Sequence, residues 1–357
     1  MLILLALAAI PLFYTLLNAA TIRVVKNSDA KAVTGRISIL IPMRNEEQNV
    51  DGVITAILLG KFLDDSEIIV LDDQSTDRTA ELLQRYPLVK TVSGTELPEG
   101  WLGKNFACHQ LVAHATGDYL VFLDADVRVA PSAISAAITA MEGFGWNFIS
   151  PYPHQIAVSF FERLIQPLLQ WSWLSSLPLR LAERTTFASM VIANGQFLIV
   201  KRQAYLAVGG HKTIRHEVLD DLELARLMVK NGFKGGVADG SAVVDCRMYV
   251  NRTDLFNGYT KSLWRAFGSP LGAMAAVIFL FTSGVLPLVL ALSGFRLAWI
   301  AYFCVVLSRY VAALRTRSTP STALLHPLAI LTLIYLIAKS WYLKSRGELL
   351  WRGRRVS

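Results

Sequence analysis

The stretch GDYLVFLDADV, residues 117–127, is an unbroken aliphatic and aromatic run that stops abruptly at two aspartates. A short apolar run with polar boundaries on both sides reads as a strand buried on both faces. Two earlier stretches have the same design. ISILIP (37–42) runs into MRNEEQN and then a helical pattern through Leu59, and EIIVLDD (67–73) runs into QSTDRTAELLQRY, with Ser, Thr and Asp where a helix would start. After residue 127 come Pro131 and an alanine-rich helical pattern. Buried strands alternating with helices predict an α/β domain with a mostly parallel sheet covered on both faces. Such sheets bind ligands outside the carboxyl ends of their strands. All three strands end there in polar or charged groups: Arg44-Asn45-Glu46, Asp72-Asp73 and Asp124-Ala125-Asp126.

Each acidic pair has a plain reading and a chemical one. Asp124 and Asp126, one residue apart in extended chain, point to one side. Two oxygen donors on one side suit a hard divalent cation, Mg²⁺ or Mn²⁺, that keeps waters and bridges phosphates. Asp72-Asp73 either caps a helix start or accepts hydrogen bonds from a nucleotide's ribose or base edge. Further on, VLDDLELARLMVKNGFK (218–234) predicts an amphipathic helix with Asp220-Asp221 at its N-terminus. The helix dipole alone favours acids there; alternatively, one of the two is a general base for an attacking hydroxyl.

The stretch GWLGKNFACHQ (100–110) resembles a phosphate loop and half a metal site, but neither reading holds. A phosphate loop needs four residues between its glycines and Ser or Thr after the lysine. A structural zinc site needs further ligands at short spacing, and Cys246 and Cys304 are remote.

Composition places the domain at a membrane. The 357 residues are 53% hydrophobic and only 17% charged, and residues 1–20 and 270–343 hold most of the apolar excess. Met1 to Ala20 is long enough to span a bilayer, lacks a basic region before it, and is followed by Arg23, Lys26, Lys31 and Arg36. This predicts an anchor with the globular domain on the cytoplasmic side of the inner membrane. Leu271–Gly294 is a clear span, Leu297–Leu314 contains Arg309, and Ala323–Leu343 is the third stretch. Three full crossings would carry the basic tail, residues 344–357, away from the domain's side. A re-entrant or interfacial stretch would keep the two together, which the positive-inside preference favours slightly. The net charge of +8 fits an anionic lipid surface rather than nucleic acid, since no recognition module accompanies it. Three scattered cysteines argue against a disulfide scaffold and fit a reducing compartment.

In order and spacing, ISILIPMRNEEQNV, IIVLDDQSTDRT, GDYLVFLDADV and VLDDLELARLMVKNGFK resemble the family 2 glycosyltransferases, which have the GT-A nucleotide-diphospho-sugar transferase fold. The resemblance covers residues 37–250. LPEGWLGKNFACHQL and NGQFLIVKRQAYLAVGGH are similar to a narrower bacterial group, the hopanoid-associated and carotenoid (4,4'-diaponeurosporenoate) glycosyltransferases. The resemblance implies inverting transfer from a nucleotide sugar, UDP-glucose first among donors, to a lipid acceptor. It puts Pro42, Arg44 and Glu46 around the nucleotide, Asp73 on the nucleoside, and Asp124 and Asp126 on a divalent cation at the diphosphate. Asp221 matches the catalytic acid of a Glu-Asp motif, but Asp220 precedes it here, so the choice between them stays open. Gly195 and Gln196 fall in the acceptor-side loop. Lys104 would be a point charge on the diphosphate or sugar, Asn105 a nearby hydrogen-bonding group, and Trp101 an apolar wall; Cys108 and His109 would pack inside a helix.

The family's Gln-x-x-Arg-Trp string is missing. Trp264-Arg265 in the membrane-proximal segment 251–269, or Trp351-Arg352, either closes over the diphosphate or anchors the interface. Segment 158–182, rich in aromatics, reads as an interfacial helix serving a lipid acceptor or as a core helix. The alternatives in function are a processive polysaccharide synthase and a non-catalytic nucleotide-sugar-binding membrane protein.

Overall fold

The computed structural model describes residues 1–351 and 354–355, with side chains described as far as residue 349. The chain forms two compact units: one of Arg23–His154 and Ala182–Arg247, the other of Met1–Ile22, Gln155–Leu181 and Met248–Ser357.

The first unit is the α/β domain. Its strands are β1 (Ile37–Met43), β2 (Ser66–Asp72), β3 (Val89–Ser93), β4 (Tyr119–Leu123), β5 (Val127–Val129), β6 (Phe148–Tyr152), β7 (the two residues His154–Gln155), β8 (Phe197–Lys201), β9 (Gly235–Asp239) and β10 (Val244–Cys246). Seven of them form one sheet in the order β3-β2-β1-β4-β8-β6-β9. The sheet is mostly parallel, as its apolar runs predict; β8 alone in it runs antiparallel, pairing with both β4 and β6. Leu40, Ile69, Leu120 and Leu198 on the sheet pack with Ala107, Cys108 and Leu111 of helix Gly103–Ala113 and with Leu224 and Met228 of helix Asp220–Lys230. Burial of such aliphatic side chains contributes about 1.5–3 kcal/mol each and fixes both helices on the sheet.

Two features of this topology place the functional groups. The chain leaves β1 toward β2 and β3, then returns to put β4 on the other side of β1, so a crevice opens between the carboxyl ends of β1 and β4. Pairing between β1 and β4 runs only from Ile37 to Leu40, two residues short of Pro42, and the strand ends separate there. The antiparallel β8 then starts where β4 ends, with Phe197 opposite Leu123. Its preceding residues therefore lie across the end of β4, and the Asp124 N–H donates to the Gln196 carbonyl at 3.0 Å.

Among the described residues, the second unit holds four helices long and apolar enough to cross a membrane: Leu2–Thr21, Pro270–Leu292, Arg296–Arg315 and Pro320–Ser345. All three C-terminal stretches are at least 20 residues long, so length does not single one out as re-entrant. The N-terminal helix is more than a tether. The buried Asn18 Nδ2 donates to the carbonyls of Leu174 and Leu177 at 2.8 and 2.6 Å, and its Oδ1 accepts from Leu179 N at 3.1 Å. Thr15 Oγ1 lies 2.9 Å from Ser308 Oγ, which also accepts from Trp171 Nε1 at 2.7 Å.

Segment 158–182 departs from the single interfacial helix expected. It breaks into Phe160–Ile165, Pro167–Ser176 and Leu179–Ala182, because Pro167 and Pro178 cannot continue a preceding helix. Trp171, Trp173, Leu164 and Leu174 are buried, so the core reading wins for its middle. It also solves the difficulty of Arg309. That side chain is 1% exposed and does not snorkel to an interface; Nη2 donates to Leu164 O at 2.7 Å and Thr322 Oγ1 at 3.1 Å. The unit boundaries thus differ from the expected single domain over 37–250, since residues 155–181 belong with the apolar helices.

Candidate functional site

The crevice at the carboxyl end of β1 and β4 is a small cavity lined in part by Pro42, Lys104, Asp124, Gly195, His211, Asp220 and Asp221. These come from separate elements. Pro42 is near the end of β1, Lys104 is in the first turn of helix Gly103–Ala113, and Asp124 follows β4. Gly195 precedes β8, and Asp220 and Asp221 open helix Asp220–Lys230.

Lys104 is the hub. Its Nζ lies 2.8 Å from Asp124 Oδ1 and 3.1 Å from Oδ2, and 3.7 Å from Asp220 Oδ2. Burial works against its charge, but Asp124 and then Asp220 outweigh that and hold its pKa well above the ordinary lysine value. Asn105, next along, does not face the cavity as its donor-side reading required. It is buried, and its Nδ2 donates to the carbonyls of Ile214 and Glu217 at 2.7 and 3.0 Å. With Leu102 N donating to Arg215 O at 2.8 Å, it ties this helix to the loop leading into Asp220. Asn105 is a strut that holds Lys104 and Asp220 opposite each other.

Asp221 is held by two backbone donors. Gly195 N–H gives to Oδ2 at 2.5 Å and Leu222 N–H to Oδ1 at 2.7 Å. Burial, with Asp220 adding to it, pushes its pKa up to about 6, while Lys104 and the two N–H donors pull the other way. A carboxylate poised near 6 is suited to take a proton at neutral pH. Through Leu222, Asp221 also satisfies an N–H of the helix's first turn. A side chain on Gly195 would meet Asp221 Cβ at 3.1 Å and Lys104 Nζ at 3.2 Å, so the residue must be small for the two to approach.

The Asp124–Asp126 pair is reached differently from the extended-chain argument. Residues 124–127 make a tight turn between β4 and β5, closed by Val127 N–H to Asp124 O at 3.2 Å, so strand alternation does not aim the two carboxylates. Arg128 braces the turn, donating to the carbonyls of Ala125 and Val127 at 2.8 and 2.9 Å. A side chain on Gly52 would collide with that guanidinium. One Asp126 oxygen, Oδ1, is buried without a hydrogen-bond partner. Burial, then Asp124 and Glu46, push Asp126 up to about 7, against Lys104 and the Cys246 thiol.

Among the described residues no cluster of three His, Cys, Asp or Glu could hold a metal alone. The pair fits a hard cation that takes its other ligands from phosphate and water, because a buried orphan carboxylate oxygen is the donor such an ion satisfies and its charge would reverse the upward push on Asp126.

The remaining expected residues divide clearly. Arg44 Nη1 donates to Asp73 O at 2.5 Å, and Asp72 Oδ1 accepts from Ser75 N at 3.2 Å, so both help knit the loops after β1 and β2. Glu46 accepts from Asn49 Nδ2 at 2.8 Å, and Asp73 is buried. Trp101 packs edge-on against Phe106 and tilted against His109. Gln196 is buried behind Gly195. Cys108 is buried in its helix, as expected, and His109 lies in the same helix.

Trp264 and Arg265 belong to the other unit, in helix Arg252–Ala266. There Trp264 N–H donates to Ser340 Oγ at 2.9 Å, and Lys344 Nζ sits 3.8 Å from the ring centroid. Arg352 and the side chain of Trp351 lie outside the described residues. His211 and Cys246 had no assigned role. His211 lines the cavity, pairs through Nδ1 with Tyr205 OH at 2.8 Å, and is pushed down to about 4 by burial, so it is neutral at pH 7. Only the placement of His211 in the GGH turn after β8 could have hinted at this.

Residues 38–209 match the family model described as glycosyl transferase family 2. The 4,4'-diaponeurosporenoate glycosyltransferase of Staphylococcus aureus (strain USA300) is 27% identical over 351 residues, covering 93% of this chain and 90% of that protein. The same enzyme from strain MRSA252 is 27% identical over 349 residues, with the same coverage. Among solved structures, the mannosyltransferase PcManGT from Pyrobaculum calidifontis, in complex with GDP-Man and Mn²⁺, aligns over 96% of this chain and 99% of its own. Its TM-score is 0.59 at 18% identity, which is a likeness of fold.

Proposed function

We propose, from the match of residues 38–209 to the family 2 glycosyltransferases, that the chain transfers a sugar from a nucleotide sugar, UDP-glucose first among candidates, to a lipid-soluble acceptor with inversion. The observation that carries this reading is the gathering of Lys104, Asp124, Asp220 and Asp221 around one cavity at the switch point of the sheet.

Direct displacement at the sugar's anomeric carbon needs charge neutralised on the departing diphosphate and a proton removed from the attacking hydroxyl. Lys104 supplies a positive point charge beside the acid turn, at the N-terminal end of a helix whose N–H groups favour anions. Asp124 and Asp126 would hold a divalent cation, Mg²⁺ or Mn²⁺, whose chemistry when bound is Lewis-acid neutralisation of the diphosphate. Asp221 is the base: Gly195 and Leu222 fix both its oxygens, and its raised pKa matches the task. Asp220 then holds Lys104 rather than the proton. His211 stays neutral and adds no competing charge.

Four apolar helices and relatives named for a carotenoid acid support an acceptor of carotenoid, hopanoid or other polyprenyl type. The basic residues 23, 26, 31 and 36 after the first helix support a cytoplasmic site at the inner membrane. Purified protein should release nucleoside diphosphate from UDP-glucose only with Mg²⁺ or Mn²⁺ and an apolar acceptor. Asp126→Ala should cut turnover by at least about 10². Full activity in that variant would remove the metal role, and an unchanged lipid profile in cells lacking the protein would remove the acceptor class.

A further inference from the structure

We propose that the Lys104 ammonium and a divalent cation are alternative occupants of the Asp124 carboxylate, so that cation binding hands Lys104 from Asp124 to Asp220 and the donor diphosphate. The inference rests on the metal-dependent reading of Asp124 and Asp126, and goes beyond it by giving Lys104 two positions.

Three observations carry it. The first is contact: Nζ reaches both Asp124 oxygens, at 2.8 and 3.1 Å. An ammonium placed between the two oxygens covers the face a cation would use, and two cations on one carboxylate repel strongly at such distances. The second is an onward partner: Asp220 Oδ2 is already at 3.7 Å, so a small rotation of the lysine arm strengthens that pair without stranding the charge. The third is room to move. The Lys104 side chain is 39% exposed, and Gly195 leaves open beside it the space where a β-carbon would stand 3.2 Å from Nζ. The helix backbone stays fixed meanwhile, since Asn105 is tied to Ile214 and Glu217.

The exchange has a functional consequence. A cation alone must displace Lys104, whereas a cation arriving with a diphosphate gives Lys104 a new anionic partner in the same step. Cation and nucleotide therefore bind with positive cooperativity, and Lys104 is the residue that couples them.

The test uses the full chain in detergent, with Mn²⁺ followed by electron paramagnetic resonance and UDP as the nucleotide probe. In the wild type, UDP should tighten Mn²⁺ binding by about tenfold or more, within the usual range of coupling between sites. In Lys104→Met, Mn²⁺ alone should bind about tenfold tighter than in the wild type, and the UDP effect should shrink to about threefold or less. A direct readout separates exchange from simple charge removal. Reductive methylation of wild-type Lys104, read by mass spectrometry, should rise several-fold when Mn²⁺ saturates the protein without nucleotide, while other lysines stay constant. Mn²⁺ bound with Lys104 methylation unchanged would overturn the exchange and leave the metal assignment standing. Equal Mn²⁺ affinity in wild type and Lys104→Met would do the same. Absence of Mn²⁺ binding from both proteins, with and without UDP, would overturn the metal assignment and the exchange together.

Discussion

One methyl group on Gly195 would separate the placement of Asp221 from its chemistry. In Gly195→Ala the new carbon stands 3.1 Å from Asp221 Cβ, 3.3 Å from its Oδ2 and 3.2 Å from Lys104 Nζ. Carbon atoms settle at about 3.5–4.0 Å, so Asp221 must retreat by roughly 0.4–0.9 Å. That movement stretches the 2.5 Å bond from Gly195 N–H to as much as about 3.4 Å, weakening a bond to a charged acceptor worth about 1.5–3 kcal/mol. A displacement approaching 1 Å at a reacting group costs on the order of 10² in rate, so kcat should fall roughly 10- to 100-fold. Stability should not follow. Gly195 is not among the left-handed residues, and alanine at a compatible position offsets strain by about 0.4–1 kcal/mol through the unfolded chain. The assay is single-turnover transfer from a radiolabelled nucleotide sugar, with thermal unfolding followed by tryptophan fluorescence. Turnover within about twofold of wild type in a folded variant would refute the view that Asp221 must sit where Gly195 lets it.

Other consequences are equally measurable. Because burial and Asp220 raise Asp221 to about 6 and only its ionised form accepts a proton, kcat at saturating cation should fall about tenfold per pH unit below that value. Asp221→Asn should remove that limb and about 10²–10⁴ of the rate; a flat profile from pH 5 to about 7 in the wild type would refute the assignment. Asn105→Ala orphans the Ile214 and Glu217 carbonyls and should cost about 2–3 kcal/mol in denaturant unfolding; an unmoved midpoint would rule out the strut. Asn18→Leu leaves two carbonyls and one N–H without their partner, and should lower the melting temperature in detergent despite its added hydrophobicity, by about 2–4 kcal/mol of stability. A rise would make the N-terminal helix a tether after all.

The three acid-tipped strands were legible because a buried parallel strand needs a continuous apolar run, and its end is where polar residues can resume. The helix opened by Asp220 was legible for the same kind of reason, through its apolar face. Tertiary effects hid the rest. Nothing in FLIVK distinguishes an antiparallel strand from a parallel one, yet the direction of β8 is what lays Gly195 over Asp124. The turn at residues 124–127 depends on Arg128 and on the space left at Gly52, more than 70 residues earlier in sequence. Asn105 looked like a ligand-side amide because it follows a lysine at a helix start, and only the loop at 214–217 shows that its hydrogen bonds are already committed. Segment 158–182 carried a true apolar signal, but its two prolines and its partners on distant helices decide which unit it joins.

That last assignment bears on how the chain is made. The unit of apolar helices is assembled from three pieces of sequence separated by the α/β domain, and Thr15 meets Ser308 across 293 residues. At about 5–20 residues per second of synthesis, the first helix waits roughly 15–60 s for that partner. Asn18 waits across 156 residues for Leu174. During the delay Thr15 can satisfy its hydroxyl on Pro11 O of its own helix, at 2.8 Å, but Asn18 has yet to meet the three backbone groups it binds, an unmet demand that would be costly in lipid. The α/β domain has time to fold before the last piece is made, so the unit of apolar helices is completed last.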